Sequence, residues 1–175
     1  MKYEKRLIIR ILIAVILALL FKFYYIIFTP ITLGIVGFFL KLFGYNAIMD
    51  FSLKKIIIGY NSLDFVEACI AGSAYFLFSL LVLFTKNLGL RKSLKLIGYG
   101  VLLIFSMNVL RIIILIIILL EMGKNWFDLI HLIFWWFVAG IYIAIVWIFL
   151  TKKFKIKTIP VYSDIKALLK KRKPH

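Results

Sequence analysis

Long apolar runs alternate with short basic segments along most of the chain. Four of these runs reach the length of about 20 mostly apolar residues that a transmembrane helix needs. They cover residues 7–28, 65–84, 96–120 and 129–150. The pattern therefore predicts an all-α integral membrane fold, built as a single membrane domain with four transmembrane helices.

A fifth apolar run, residues 31–43, is too short to cross a bilayer and contains Lys41. Runs of roughly 10–14 apolar residues are more often interfacial or re-entrant segments than spans. Pro30 and Gly44 mark its two ends, and we expect a short interfacial or re-entrant helix between them. The β-branched and aromatic side chains of residues 46–60 predict a small hairpin on the outer membrane surface.

The basic residues set the orientation of the predicted spans. Lysines and arginines cluster at the N-terminus, in the loop after the second span and in the tail, residues 152–175. With four spans these regions lie on one side, and positively charged loops favour the cytoplasmic side. We therefore expect a multi-pass cell-membrane protein with both termini in the cytoplasm and the basic tail against anionic lipids. The loops on the outside hold Asp50, Asp64, Glu121 and Asp128.

Composition supports a membrane protein and excludes several other classes. The 175 residues are 65% hydrophobic, which is more apolar surface than a soluble domain of this size buries. The net charge of +16 suits anionic lipid rather than nucleic acid, because no nucleic-acid-binding motif accompanies it. One cysteine and two histidines leave no internal disulfide and no multi-cysteine metal site. We expect neither a metal nor a cofactor.

Polar residues within the apolar runs are the candidates for chemistry. Arg111 lies about nine residues, or roughly 13 Å, inside the outer end of the third span, where a charge needs a partner or a water-filled pocket. Asn108 shares its helix face. Considered alone, Arg111 indicates either a functional cation or a structural ion pair. His131 begins the fourth span with Asp128 three residues earlier, and such an interfacial histidine is more often structural.

The only cysteine, Cys69, lies at the start of the second predicted span. Asp64 as N-cap and Glu67 at the third helical position resemble a capping box, which places Cys69 about one turn inside the helix. The helix dipole favours a thiolate only weakly at that depth, so activation requires a cation from another helix. Considered alone, a lone cysteine in an apolar helix is more often a packing residue.

The predicted topology brings these residues to one depth. Cys69, Arg111 and His131 all fall in the outer half of the membrane, on three different helices. Ala68 and Gly72 lie four residues apart beside the cysteine and allow close approach of a second helix. A nucleophile, a fixed cation and a titratable base are the groups of an acyl-transfer site. Together they predict a catalytic role for Cys69 as readily as a packing role.

The ordered motifs resemble those of the exosortase/archaeosortase family of integral-membrane transpeptidases. Residues 67–72, EACIAG, are similar to the E-x-C-x-x-G motif of that family, and residues 108–111, NVLR, to its N-x-x-R motif. His131 stands where the family has a final histidine or arginine. The chain departs from the pattern at Ile70 and Ala71, where a serine often follows the cysteine.

The resemblance implies a membrane-embedded cysteine protease or transpeptidase whose active site faces the extracytoplasmic side. Its partner would be the C-terminal transmembrane tail of exported proteins, which carries a short sorting signal. The acceptor of the new C-terminus would be a lipid or another amine or hydroxyl compound.

Three residues would carry that chemistry. Cys69 would form a thioester, Arg111 would stabilise the thiolate or the oxyanion, and His131 would act as acid and base. Asn108 would hold Arg111 or donate to the oxyanion, and Asp128 would orient His131. Glu67 and Gly72 would be supporting residues. Glu67 would either cap the helix or add a polar group to the pocket.

Two other functions remain open from the sequence. Ser73 and His131 could form the dyad of a serine intramembrane protease, although Ser73 lies one turn deeper than Cys69. Alternatively, the protein could be a non-enzymatic transport or assembly subunit in which Arg111 binds an anion. The lack of broken central helices and of an internal repeat argues against a transporter.

Overall fold

A computed structural model gives the fold as a helical bundle with a small antiparallel sheet. It describes residues 3–65, 67–85, 88–135 and 139–156, and most of the predicted basic tail lies outside these ranges. The helices are α1 (Tyr3–Leu19), α2 (Phe21–Leu42), α3 (Gly72–Leu83), α4 (Leu90–Met122), α5 (Lys124–Ile133) and α6 (Ala139–Lys153). The strands are β1 (Ala47–Asp50), β2 (Lys55–Ile58) and β3 (Asn61–Asp64), followed by a 3-10 turn at Glu67–Ile70.

The first two helices differ from the prediction. The predicted span over residues 7–28 is interrupted at Leu20, and α2 then continues through Pro30 to its end. The prediction of a separate interfacial helix over residues 31–43 was therefore wrong, because these residues form the second half of α2. Proline is tolerated inside membrane helices when neighbouring groups compensate for the lost N–H bond, so Pro30 does not end this one.

Two helices in the described part of the chain, α2 and α4, are long and apolar enough to cross a bilayer. The predicted third span, residues 96–120, lies wholly inside α4. The predicted second span, residues 65–84, becomes helical only at Gly72, because a strand and a 3-10 turn precede it. The predicted fourth span, residues 129–150, is divided between α5 and α6. The fold is mostly helical, and four spans remain a prediction.

The predicted hairpin is present and has a third strand. The sheet order is β1-β2-β3, and both pairs are antiparallel. Asp50 faces Lys55 in the first pair, and Lys55 faces Asp64 in the second. The Lys55 ammonium lies 3.2 Å from the Asp64 carboxylate across the strands. Because β3 occupies residues expected to begin a helix, Asp64 is a strand residue and not an N-cap.

The central element is α4, which packs against α2, α3, α5 and α6. It runs antiparallel to α3, since Gly100 lies against the ring of Phe78 and Asn108 meets the turn before α3. A Cβ atom added at Gly100 would overlap the Phe78 ring, which is fully buried. Gly100 therefore allows α3 and α4 to approach closely.

We expect Gly100→Ala to lower the free energy of unfolding by about 1–3 kcal/mol, because the Phe78 ring must move within a packed core. The measurement is thermal unfolding of the purified protein in detergent micelles. Gly98→Ala is the matched control, since no side chain or neighbouring segment comes within 4 Å of a Cβ there. Its alanine should raise stability by roughly 0.5–1 kcal/mol through helix propensity. Equal effects of the two variants would show that the contact at Gly100 is not tight.

Candidate active site

The cysteine lies in an irregular turn that precedes α3. The chain passes from β3 through the 3-10 turn at Glu67–Ile70 and then reverses at Ala71, whose φ of 54° and ψ of 32° are left-handed. Left-handed backbone is unfavourable for a residue with a Cβ atom. Cys69 therefore lies before the N-terminus of α3. The prediction that it lies one turn inside a helix was wrong.

Asn108 ties this turn to the central helix. Its side-chain amide donates a hydrogen bond of 2.8 Å to the main-chain carbonyl of Cys69. Asn108 is only 4% exposed, so this bond is shielded from competing water. We had expected Asn108 to hold Arg111 or to donate to an oxyanion. In the structure its amide fixes the main chain of the turn that carries Cys69. Holding Arg111 and donating to an oxyanion stay predictions.

Arg111 lies one turn further along α4 and is only 7% exposed. Its guanidinium is close enough to interact electrostatically with Cys69 and with His131. A buried cation stabilises a nearby thiolate more strongly than an exposed one, because little water screens the interaction.

His131 reaches the same place from α5. Gly123 separates α4 from α5 with a φ of 87°, a conformation that glycine adopts readily. The resulting reversal packs α5 back against α4. Phe127, one turn before His131, places its ring edge-on to the imidazole with the ring centres 5.5 Å apart. This aromatic contact restricts the orientation of the imidazole.

Asp128 interacts electrostatically with His131 but makes no hydrogen bond to it in the described structure. Its side chain is exposed, and the expected orienting bond is therefore not seen. As a ten-residue helix, α5 is too short to cross a bilayer and lies outside the candidate spans. Burial and then the Arg111 cation lower the pKa of His131, whereas the Asp128 carboxylate opposes that shift. The net lowering favours the neutral form of the imidazole, which is the form that can accept a proton.

One cavity of about 60 Å³ joins the three predicted catalytic residues. Cys69 enters it from the turn before α3, Arg111 from α4 and His131 from α5. The imidazole also lines an open pocket beside Asp128 and Trp135, so it stands between the cavity and the outside of the molecule. The remaining residues around the cavity are Leu63, Asp64, Phe65, Ile112, Leu115, Ile116 and Phe127.

The other predicted residues have different positions. Gly72 lies against the ring of Phe21, which a Cβ atom would approach to 3.3 Å, so a small residue here lets α2 pack closely. The side chain of Glu67 falls outside the described residues. Ser73 is exposed and does not line the cavity that contains His131. Among the described residues, no group of three His, Cys, Asp or Glu side chains could hold a metal ion.

Sequence reasoning missed the residues that brace the turn from α2. The Tyr25 hydroxyl donates a hydrogen bond of 2.8 Å to the carbonyl of Phe65, and the Lys54 ammonium lies 4.3 Å from the centre of the Tyr25 ring. No sequence signal links these distant residues. Phe127 could have been found, because it lies four residues before His131 on the same helix.

We expect Arg111→Gln to slow alkylation of Cys69 by iodoacetamide at least about tenfold at neutral pH, because the thiolate loses a buried cation. Cys69 is the only cysteine, so the measured alkylation rate reports on this thiol alone. Arg91→Gln, at an exposed arginine near the start of the same helix, is the matched control and should leave the rate unchanged. Equal rates in wild type and Arg111→Gln would mean that the cation does not activate the thiol.

Comparison with protein-family models matches residues 3–149 to the family described as Transmembrane exosortase (Exosortase_EpsH). Comparisons with curated proteins and with solved structures gave no match. The family and the apolar helices together assign the protein to a membrane. Since the family match extends over most of the chain and includes the turn, α4 and α5, this protein belongs to the transmembrane exosortase family.

Proposed function

We propose that the protein is a membrane-embedded cysteine transpeptidase that removes a C-terminal sorting signal from exported proteins. One observation carries the proposal: the only cysteine, a buried arginine and a histidine come from three separate elements to one cavity. These are a nucleophile, a fixed positive charge and a titratable base, which acyl transfer requires. Family membership agrees with a reaction of this class.

In the first half-reaction, the Cys69 thiol gives its proton to the neutral His131 imidazole. The thiolate attacks the scissile carbonyl carbon, and the carbonyl oxygen becomes an oxyanion stabilised by the Arg111 guanidinium. The carbon–nitrogen bond then breaks, and the imidazolium returns its proton to the leaving amine. The products are a thioester on Cys69 and the released C-terminal tail.

In the second half-reaction, His131 takes a proton from the hydroxyl or amine of the acceptor. The acceptor attacks the thioester carbonyl, the carbon–sulfur bond breaks, and the thiolate is regenerated beside Arg111. Asn108 acts as a positioning residue throughout, because its hydrogen bond holds the main-chain carbonyl of Cys69.

The location of the site supports cleavage at the outer face of the cell membrane. The first turn and a half of α4 contains three basic residues, Arg91, Lys92 and Lys95, whereas Arg111 lies toward the other end of this helix. Positively charged segments favour the cytoplasm, so the cavity belongs to the extracytoplasmic half. A tailed substrate could pack its transmembrane helix beside the bundle and present its scissile bond to Cys69.

The decisive experiment co-expresses the full-length protein with candidate proteins that carry C-terminal tails, followed by mass spectrometry of their C-termini. We expect Cys69→Ala to abolish tail removal and Arg111→Gln or His131→Ala to reduce it at least about 100-fold, since each removes a group that acts in the transition state.

Ser73→Ala serves as the matched control and should retain full processing, because Ser73 does not line the cavity. If Cys69→Ala cells still process every tailed protein, the protein is not a cysteine peptidase. Loss of processing in Ser73→Ala with normal processing in Cys69→Ala would instead identify a serine protease.

The proposal also predicts a pH dependence. Processing should fall as the pH drops through the pKa of His131, which lies below the ordinary histidine value of about 6.5, because protonated imidazole cannot act as the base. Asp128→Asn should move this acid limb to lower pH, since the carboxylate stabilises the protonated ring. The measurement is the initial rate of tail removal against pH in membrane vesicles. If the acidic side of the pH–rate profile moves to higher pH in Asp128→Asn, or stays in place, this electrostatic role for Asp128 is excluded.

A further inference from the structure

A second cavity adjoins Arg111 on the opposite side along α4. It has a volume of about 40 Å³ and is lined from this helix by Ile104, Met107, Asn108 and Arg111. The cavity with Cys69 is lined from α4 by Arg111 and by residues that follow it. Within the described part of the chain, Arg111 is the one residue that lines both cavities. Arg111 therefore lies at the boundary between them.

The second cavity has a polar end and an apolar wall. Asn108 and Arg111, 4% and 7% exposed, supply its polar end. The wall comes from three helices and their junctions, and consists of Ala71, Ala74, Ile104, Met107, Phe134, Tyr142 and Ile143. Its half-buried members form its rim, and they are Ala71, Met107, Phe134 and Tyr142.

The wall facing α4 is fixed in place. The Tyr142 hydroxyl on α6 donates a hydrogen bond of 2.9 Å to the main-chain carbonyl of Leu103 on α4. Because this hydroxyl is already engaged, it adds little polarity to the cavity. A ligand that enters from this side therefore meets hydrocarbon until it reaches Arg111 and Asn108.

Size and depth limit what the cavity can hold. A cavity needs only about 10–15 Å³ of such volume to hold one water molecule, so the space suits a hydroxyl or amino group with its adjoining carbons and not a whole headgroup. The cavity lies nearer the basic, N-terminal end of α4 than the cavity with Cys69 does. In the proposed orientation it is therefore deeper in the bilayer, where an apolar molecule arrives without crossing water.

We infer that this second cavity admits the nucleophilic end of the acceptor, an alcohol or amine carried on the apolar body of a membrane-resident amphiphile. The inference rests on the proposed function and specifies where its second half-reaction begins. The acceptor would approach the thioester past Arg111, while the polypeptide and water reach Cys69 through the outer cavity. Its hydroxyl or amino proton passes to His131, its oxygen or nitrogen bonds to the acyl carbon, and the carbon–sulfur bond breaks.

Separate routes would give the enzyme a means to favour transfer over hydrolysis. Water entering through the outer cavity competes with the acceptor for the same thioester. A nucleophile positioned beside Arg111 gains from orientation, which can outweigh the higher concentration of water.

The test uses the full-length protein in lipid nanodiscs with a tailed substrate and two nucleophiles, hydroxylamine and dodecylamine. Hydroxylamine is small and water-soluble, and reaches the thioester from the outer side to give a hydroxamate. Dodecylamine partitions into the bilayer and gives a dodecylamide. Mass spectrometry of the substrate C-terminus measures both products.

Filling the second cavity should change the yield of one product and not of the other. We expect Ala74→Leu to leave the hydroxamate yield unchanged and to lower the dodecylamide yield at least about tenfold. A single methylene group in a pocket already has an effect of this size, and leucine adds three carbon atoms. The matched control is Ala144→Leu, at an exposed alanine on α6, which should change neither yield.

A second pair keeps the test informative if Ala74→Leu does not fold. Met107→Trp fills the cavity from its half-buried rim, and Leu110→Trp places the same side chain at a 51% exposed position one turn further along α4. Only the first should lower the dodecylamide yield. An unchanged dodecylamide yield in the folded filling variants, or an equal loss of both products, would overturn the assignment of this cavity.

The two proposals fail in different ways. If the wild-type protein forms neither product, or if Cys69→Ala forms both, the cysteine transpeptidase proposal itself is wrong. If the wild-type protein forms both products and the filling variants do not distinguish them, only the acceptor cavity is wrong.

Discussion

A buried guanidinium within the apolar central helix is the constraint on which the site depends. Arg111 is only 7% exposed on a helix that is long and apolar enough to cross a bilayer. Such a charge is stable only where the surrounding structure compensates for lost hydration. The fold therefore gathers its polar groups around this position, with Asn108 on the same helix, the Cys69 turn beside it and His131 across the cavity.

The turn that carries Cys69 shows how the backbone serves this arrangement. The chain leaves β3, forms a single 3-10 turn and reverses at Ala71 in left-handed geometry before α3 begins. A left-handed residue with a side chain costs about 1–2 kcal/mol, and such strain often lies at functional sites. The hydrogen bonds from Asn108 to Cys69 and from Tyr25 to Phe65 hold the turn from two neighbouring helices. The position of the sulfur thus depends on α2 and α4 as much as on its own segment.

The success of sequence prediction differed between elements for physical reasons. The predicted third span lies entirely inside α4, because its apolar run has no proline or competing turn signal. The boundary between the predicted first span and the predicted short helix was wrong. Proline usually ends a helix in a soluble protein, but Pro30 does not end α2. Asp64 and Glu67 have the spacing of a capping box, yet β3 pairs with β2 and takes Asp64 into the sheet. Pairing between strands is a tertiary interaction that local spacing does not record.

The sequence by itself determined the membrane class, the candidate nucleophile, cation and base, and the resemblance to the exosortase family. Apolar length, loop charge and the order of the motifs are properties of the chain that do not require contacts. Only the tertiary structure decided that Asn108 holds the main chain of Cys69, that the Phe127 ring packs edge-on to the His131 ring, and that Arg111 lies between two cavities. These features depend on how α3, α5 and α6 pack around α4, and packing depends on side chains that are distant in sequence and meet only when the helices are assembled.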